Sequence, residues 1–103
     1  MSEELVTLFK ALSDANRLKI IGLLAQQPYS VEELAALLDL KASTVSHHLA
    51  RLVKVGLVSA QTQSYYNIYA LDKSALEAMS RNLFSPAQIV TAAVAEEARR
   101  DGV

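Results

Sequence analysis

The sequence predicts a mainly α-helical domain with one small β-hairpin, its elements running in the order α-α-α-α-β-β-α-α. Three observations predict it. Residues 30–57, SVEELAALLDLKASTVSHHLARLVKVGL, hold two amphipathic helical patterns separated by a very short turn. Immediately afterwards the apolar period shortens from the helical three-and-four to that of two short strands. On either side of this block, apolar residues again recur at spacings of three and four, which puts them on one stripe of a helix.

Taken in order, residues 3–12 read as a helix with Leu5, Leu8, Phe9 and Leu12 on one stripe and Glu3 and Glu4 suited to its N-terminus. Ser13 or Asp14 can cap the next helix, which carries Leu18, Ile21, Leu24 and Ala25 and is ended by Pro28. Arg17 and Lys19 are expected on its polar side as solubilising charge, with a phosphate contact open to either. Ser30 with Glu33 three residues later is a capping box, so the helix over 31–38 has a defined start and turns Leu34, Leu37 and Leu38 to one face. The helix over 42–55 follows almost at once, and Gly56 can take the left-handed conformation that stops it. Two short helices with a tight turn read as a helix-turn-helix over 31–55, whose second helix enters the major groove of DNA.

At about 100° per residue, with Val45 at zero, Leu49 falls at about 40°, Leu52 at about 340° and Val53 at about 80°. The core direction of this helix is therefore near 20°. Opposite it lie Ser43, Lys54, His47 and Arg51, between about 160° and 240°, with Thr44 and Ser46 flanking. Small hydroxyls, an imidazole and cations suit base edges and phosphates. The plain alternative is a solvated polar face. Against it stands the absence of Asp and Glu over 40–58, where Lys41, Arg51 and Lys54 are the charged residues, since solvent faces usually mix signs.

Residues 57–62 and 66–71 read as two strands joined by a turn at Gln63, Ser64 and Tyr65. A hairpin directly after a recognition helix is a wing, here about 57–71, and its aromatics read as packing rather than as stacking platforms. Asp72 then caps a helix through about Leu83, with Leu76, Met79 and Leu83 on one stripe. Ser85 followed by Pro86 opens another, carrying Ile89, Val90, Ala93 and Val94. The stretch Glu96, Glu97, Ala98, Arg99, Arg100 reads as a solvated helix end.

A chain of 103 residues is expected to form one domain over 1–103. No apolar run approaches 18 residues, so no membrane span is expected. The opening MSEELVTLFK puts acids before a short apolar patch, the wrong pattern for a secretory signal. With no cysteine there are no disulfides, thiolate ligands or thiol redox sensors. These points favour the cytoplasm. The net charge of −1 leaves only a local patch for DNA, so affinity should rest on a dimer presenting that patch twice. An enzyme is not expected: the chain has no glycine-rich phosphate loop and no separated His/carboxylate pattern.

FKALSDANRLKIIGLL, then SVEELAALLDLKASTVSHHLARLVKVGLV, then the strand ending IYAL, resemble the ArsR/SmtB-type winged helix-turn-helix repressors, most specifically at STVSHHL followed by GLV. The resemblance spans residues 5–71. Beyond Asp72 it is one of position and helical character. It implies a homodimer formed through the first and the C-terminal helices, about 73–101, on an inverted-repeat operator that is repressed and then released by a signal. The apolar stripes of this chain name Leu5, Leu8, Phe9, Leu12, Leu76, Met79, Leu83 and Ile89 as that interface, because a fold this small cannot easily cover both stripes alone.

The departures are equally definite. Where many relatives carry a Cys-x-Cys metal box, this chain has Ser30 and Glu32, with Glu33 in place of the box's Asp. Where others place Asp and His pairs after the wing, it reads DKSALEAMSRNL. His47 and His48, the two histidines present, are neighbours on the recognition helix, where DNA should lie, and point about 100° apart, so they cannot chelate one ion together. No metal and no cofactor is expected, and Asp72 and Glu77 read as a helix cap and an exposed acid. The wing tip lacks the cations common in relatives. The expected partners are double-stranded DNA and a second copy of the chain, with release by a small molecule, a partner protein or a change in protein concentration. Two other readings remain: a winged-helix module that docks protein, or the DNA-binding part of a larger ligand-responsive regulator.

Overall fold

The structure, a computed structural model, describes residues 2–63, 65–83, 90 and 93–98. Helix α1 covers Ser2–Leu12 and α2 covers Ala15–Leu24; a short strand β1, Tyr29–Ser30, leads into α3, Val31–Leu38, and α4, Ala42–Lys54. Strands β2, Val58–Gln63, and β3, Tyr66–Leu71, are followed by α5, Lys73–Leu83. Residues 93–98 are also helical. The Ser85–Pro86 helix start and Ile89 lie outside the described residues, as does the Leu83 side chain.

Local chemistry fixes most of the boundaries. Between the two candidates for the α2 cap, Asp14 takes the role: its Oδ1 accepts from the backbone N–H of Asn16 at 2.8 Å and of Arg17 at 3.2 Å. Ser13 turns back instead and donates to Lys10 O. The capping box of α3 forms in full, with Glu33 N–H donating to Ser30 Oγ at 3.2 Å and Ser30 N–H to Glu33 Oε1 at 2.9 Å. Asp39 ends α3 in the left-handed region at φ 55°, a conformation Asp tolerates better than most residues. Gly56, at φ 83°, closes α4: its N–H bonds to Val53 O and that of Leu57 to Leu52 O, the paired bonds of a Schellman stop.

The sheet has three antiparallel strands in the order β1-β3-β2, one more than the sequence predicts. Tyr29 pairs with Tyr69 and Ser30 with Ile68. A two-residue strand is too short to show a period, so nothing in the local pattern announced it. The hairpin turn is also tighter than expected. Gln63 belongs to β2 and pairs with Tyr66, and Tyr65 stands at the tip wholly exposed.

Ile20, Leu34, Val45, Leu49, Leu52 and Leu57 are fully buried and join α2, α3, α4 and the base of the wing into one core, to which α1 adds Leu5, Val6 and Leu8. Each such side chain contributes on the order of 1.5–3 kcal/mol through burial. Three expected stripes rotate. In α2 the inward residues are Arg17, Ile20 and Leu24, and Leu18 is exposed. In α3 Leu34 is inward and Leu37 exposed, and in α4 His48 is buried where Val53 was expected. Apolar spacing locates a stripe only to within the width of one side chain, and in α2 and α4 a buried polar residue took the disputed position. Among the described residues, no helix is long and apolar enough to cross a membrane.

Candidate DNA interface

Helix α4 is held from behind by Val45, Leu49 and Leu52, and this fixes what it can present outward. Lys41, Ser43, Ser46, His47, Arg51 and Lys54 are exposed, and Thr44 is half-buried at the flank. Six of the seven residues expected to meet DNA therefore lie on or beside the outer face, Lys41 stands exposed at its N-cap, and no carboxylate is among them. Arg51 Nε donates to His47 Nε2 at 3.3 Å across one helical turn. That bond requires an unprotonated Nε2, which puts the imidazole proton on Nδ1. The pair presents a donor and a guanidinium side by side, a combination suited to guanine edges or phosphate.

The start of α4 is also open. Lys41 occupies the N-cap in an extended conformation and makes no side-chain cap bond. The first backbone N–H groups thus have no side-chain cap from the N-cap residue, and that residue is a lysine, a combination that favours a phosphate. Ala50 is exposed as well, and at about 140° it faces the same way as Ser43, about two turns further along the helix. A small methyl there fits against a thymine methyl. Alanine carries no charge or hydrogen-bonding group, so the sequence pattern gives no signal for it.

The wing offers a different surface. Ser59, Ala60, Gln61, Thr62, Gln63, Tyr65 and Asn67 are exposed and none is charged. Thr62 Oγ1 donates to Asn67 Oδ1 at 3.0 Å across the hairpin.

Two charged or titratable groups stand where the sequence did not put them. Arg17 is buried, 9% exposed, rather than on a solubilising face. Its Nε donates to Ala11 O and its Nη2 to Lys10 O at 2.9 Å, so it closes the C-terminus of α1. Its Nη1 lies 3.4 Å from His48 Nδ1. His48, 8% exposed, therefore faces inward and not toward DNA. A cation beside an apolar repeat reads as surface charge unless the carbonyls it will meet are known, and those come from the end of another helix. Asp14 completes the group, its Oδ1 4.0 Å from His48 Nε2. Its carboxyl is held below the ordinary value of 3.8, first by the Arg17 backbone N–H and further by that of Asn16 and by nearby His48 and Arg17, against an opposing cost of partial burial.

Of the residues expected at a dimer interface, Leu5 and Leu8 are already buried within the one chain, Leu12, Leu76 and Met79 are partly buried against its core, and Phe9 is 42% exposed. Val90 and Val94 are exposed too. Glu96 is not simply solvated: its Oε1 lies 3.1 Å from Lys10 Nζ on α1. Asp72 Oδ1 accepts from Ala75 N–H at 3.0 Å and caps α5, and Glu77 is exposed. Among the described residues, no three His, Cys, Asp or Glu side chains come together as a metal site.

Comparison with known proteins places this geometry. Residues 14–60 match the family model described as "Bacterial regulatory protein, arsR family". The transcriptional activator HlyU of Vibrio cholerae is 36% identical over 78 residues, covering 76% of this chain and 72% of that protein. An ArsR-like transcriptional regulator from Rhodococcus sp. RHA1 superposes with a TM-score of 0.73 at 29% identity, over 97% of this chain and 88% of the other. The homodimeric winged helix-turn-helix DNA-binding domain of Mb0332 from Mycobacterium bovis does so with a TM-score of 0.70 at 27% identity, over 85% of this chain and 78% of the other.

Proposed function

Because the chain belongs to the ArsR family and is a winged helix-turn-helix DNA-binding transcriptional regulator, not an enzyme, we propose that it acts in the cytoplasm as a homodimeric repressor of an inverted-repeat operator. Residues 1–103 act as one domain. The observation that carries this reading is the exposed, carboxylate-free outer face of α4, with His47 and Arg51 bonded together at its centre. Ser43, Thr44, Ser46 and His47 meet base edges, while Lys41 and Lys54 meet phosphates and Arg51 meets phosphate or a guanine edge.

The second copy docks on the α1 and C-terminal side. Phe9, Val90 and Val94 leave apolar surface open there, which supports that docking. Leu12, Leu76, Met79, Leu83 and Ile89 line or back the same contact, with Leu5 and Leu8 supporting it from inside the chain. Two-fold symmetry then sets the recognition helices about 34 Å apart, one turn of duplex.

Release is not metal-driven in this proposal. A regulatory site for zinc needs three or four Cys, His or carboxylate ligands within about 2.0–2.3 Å. The chain has no thiolate, and His48 is engaged inside the fold. A small molecule or a partner protein is the signal instead.

Sedimentation of the chelator-treated protein at micromolar concentration, followed by titration of its DNA complex with zinc, copper, nickel and arsenite, tests both halves. A dimer whose affinity for DNA is unmoved by metal is expected. A persistent monomer contradicts the assembly, and a tenfold metal-dependent loss of affinity reversed by chelator contradicts the signal.

A further inference from the structure

His48 lies on the inner side of the helix that carries His47 and Arg51 outward. The start of α2 meets its ring, and that start is tied in turn to the end of α1. Arg17, at the start of α2, grips the last carbonyls of α1 through Nε and Nη2 and turns Nη1 toward His48 Nδ1 at 3.4 Å. Asp14, the cap of α2, stands 4.0 Å from His48 Nε2. Arginine has donors only, so the Arg17 contact is a hydrogen bond when Nδ1 is the acceptor. The ring proton then sits on Nε2, facing the Asp14 carboxylate. A planar ring with a cation at one nitrogen and an anion toward the other has one favourable orientation. Leucine in its place would pack with no such preference.

We propose that His48 is a positioning residue for DNA recognition: through Arg17 it locks the roll of α4 against the end of α1, and so fixes where His47 and Arg51 point. The proposal rests on α4 being the recognition helix. Base contacts tolerate orientation errors of only about 10–20°, whereas phosphate attraction tolerates more. Loss of the lock should therefore reduce discrimination before it reduces general affinity. Because Arg17 ties to α1 and Lys10 of α1 pairs with Glu96, the lock connects the dimer side of the molecule to the DNA side.

The test uses a duplex selected from a random pool by the wild-type protein, together with an unselected duplex of equal length. His48→Leu keeps a buried side chain without the acceptor, and His48→Gln restores an acceptor oxygen. For His48→Leu, affinity for the selected duplex should fall about tenfold or more, as expected for one hydrogen bond to a charged group. Affinity for the unselected duplex and the dimer dissociation constant should change by less than about twofold, and His48→Gln should recover most of the loss. If His48→Leu does not fold, His48→Phe, which retains a ring but no acceptor, should give the same pattern. Equal losses on both duplexes, or a folded variant with unchanged discrimination, would overturn the proposal and leave the reading of α4 intact. A wild-type protein that enriches no sequence would overturn both.

Discussion

Arg51 Nε and His47 Nε2 are 3.3 Å apart on the outer face of α4, one turn from each other. The bond is exposed and contributes no more than a few tenths of a kcal/mol to the helix. Its consequence is for recognition, because each side chain limits the rotamers of the other. Replacing His47 by Ala should relax sequence preference at one position per half-site by about 1–3 kcal/mol. Replacing Arg51 by Ala should weaken all duplexes more evenly if it contacts phosphate. Binding to a panel of single-base variants separates the two. The double variant should lose less than the sum of the singles, since the pair acts as a unit.

Salt dependence follows from a short count. Lys41, Arg51 and Lys54 are the charged residues between 40 and 58, and the wing carries none. A dimer offers about six such cations, so log K against log salt should have a slope of about −5. Fluorescence anisotropy between low and physiological salt measures it. A slope of about −10 would mean that cations elsewhere on the chain join the contact.

The stop of α4 can be tested separately from DNA. Gly56 has φ 83°, and among the described residues a Cβ built there would meet the Met79 Cε at 3.9 Å, an ordinary contact. Gly56→Ala should therefore cost backbone strain without a clash, about 1–2 kcal/mol. The urea midpoint should fall while the affinity of the folded protein for DNA stays the same.

Stability at acid pH should report Asp14. Its pKa is lower in the folded chain than in the unfolded one, where the ordinary value is 3.8. The charged carboxylate thus contributes stability that is fully present above that value and lost as pH falls through the depressed one. Asp14→Asn keeps a capping side chain but removes the charge. The wild type should be the more stable of the two at neutral pH, and the gap should close in strong acid. Urea midpoints measured against pH check this, and a gap independent of pH would contradict it.

What was legible in the sequence follows from what kind of force fixes each feature. The capping box at Ser30 and Glu33, the Gly56 stop and the buried run Val45, Leu49, Leu52 rest on local spacing, and they form as expected. The exposed outer face of α4, with Ser43, His47, Arg51 and Lys54, followed from the same periodicity, because burying one face leaves the other exposed. Arg17 and His48 were misplaced because their partners come from distant parts of the chain: the guanidinium meets carbonyls of α1, and the imidazole meets that guanidinium across 31 residues of sequence. The strand at Tyr29 and Ser30 exists only because β3 is there to pair with it. Leu5 and Leu8 show the same limit, since their stripe could not say whether this chain or a second copy covers it.

The central claim is that two copies of α4 read DNA from one two-fold dimer. Selection from a pool of random duplexes by the wild-type protein, followed by measurement of the stoichiometry on the enriched duplex, tests it most directly. The expected result is an inverted repeat whose half-sites are centred about 10–10.5 base pairs apart, bound by two chains, with His47→Ala broadening the same position in each half. Enrichment of no sequence, or of a single half-site bound by one chain, would contradict it.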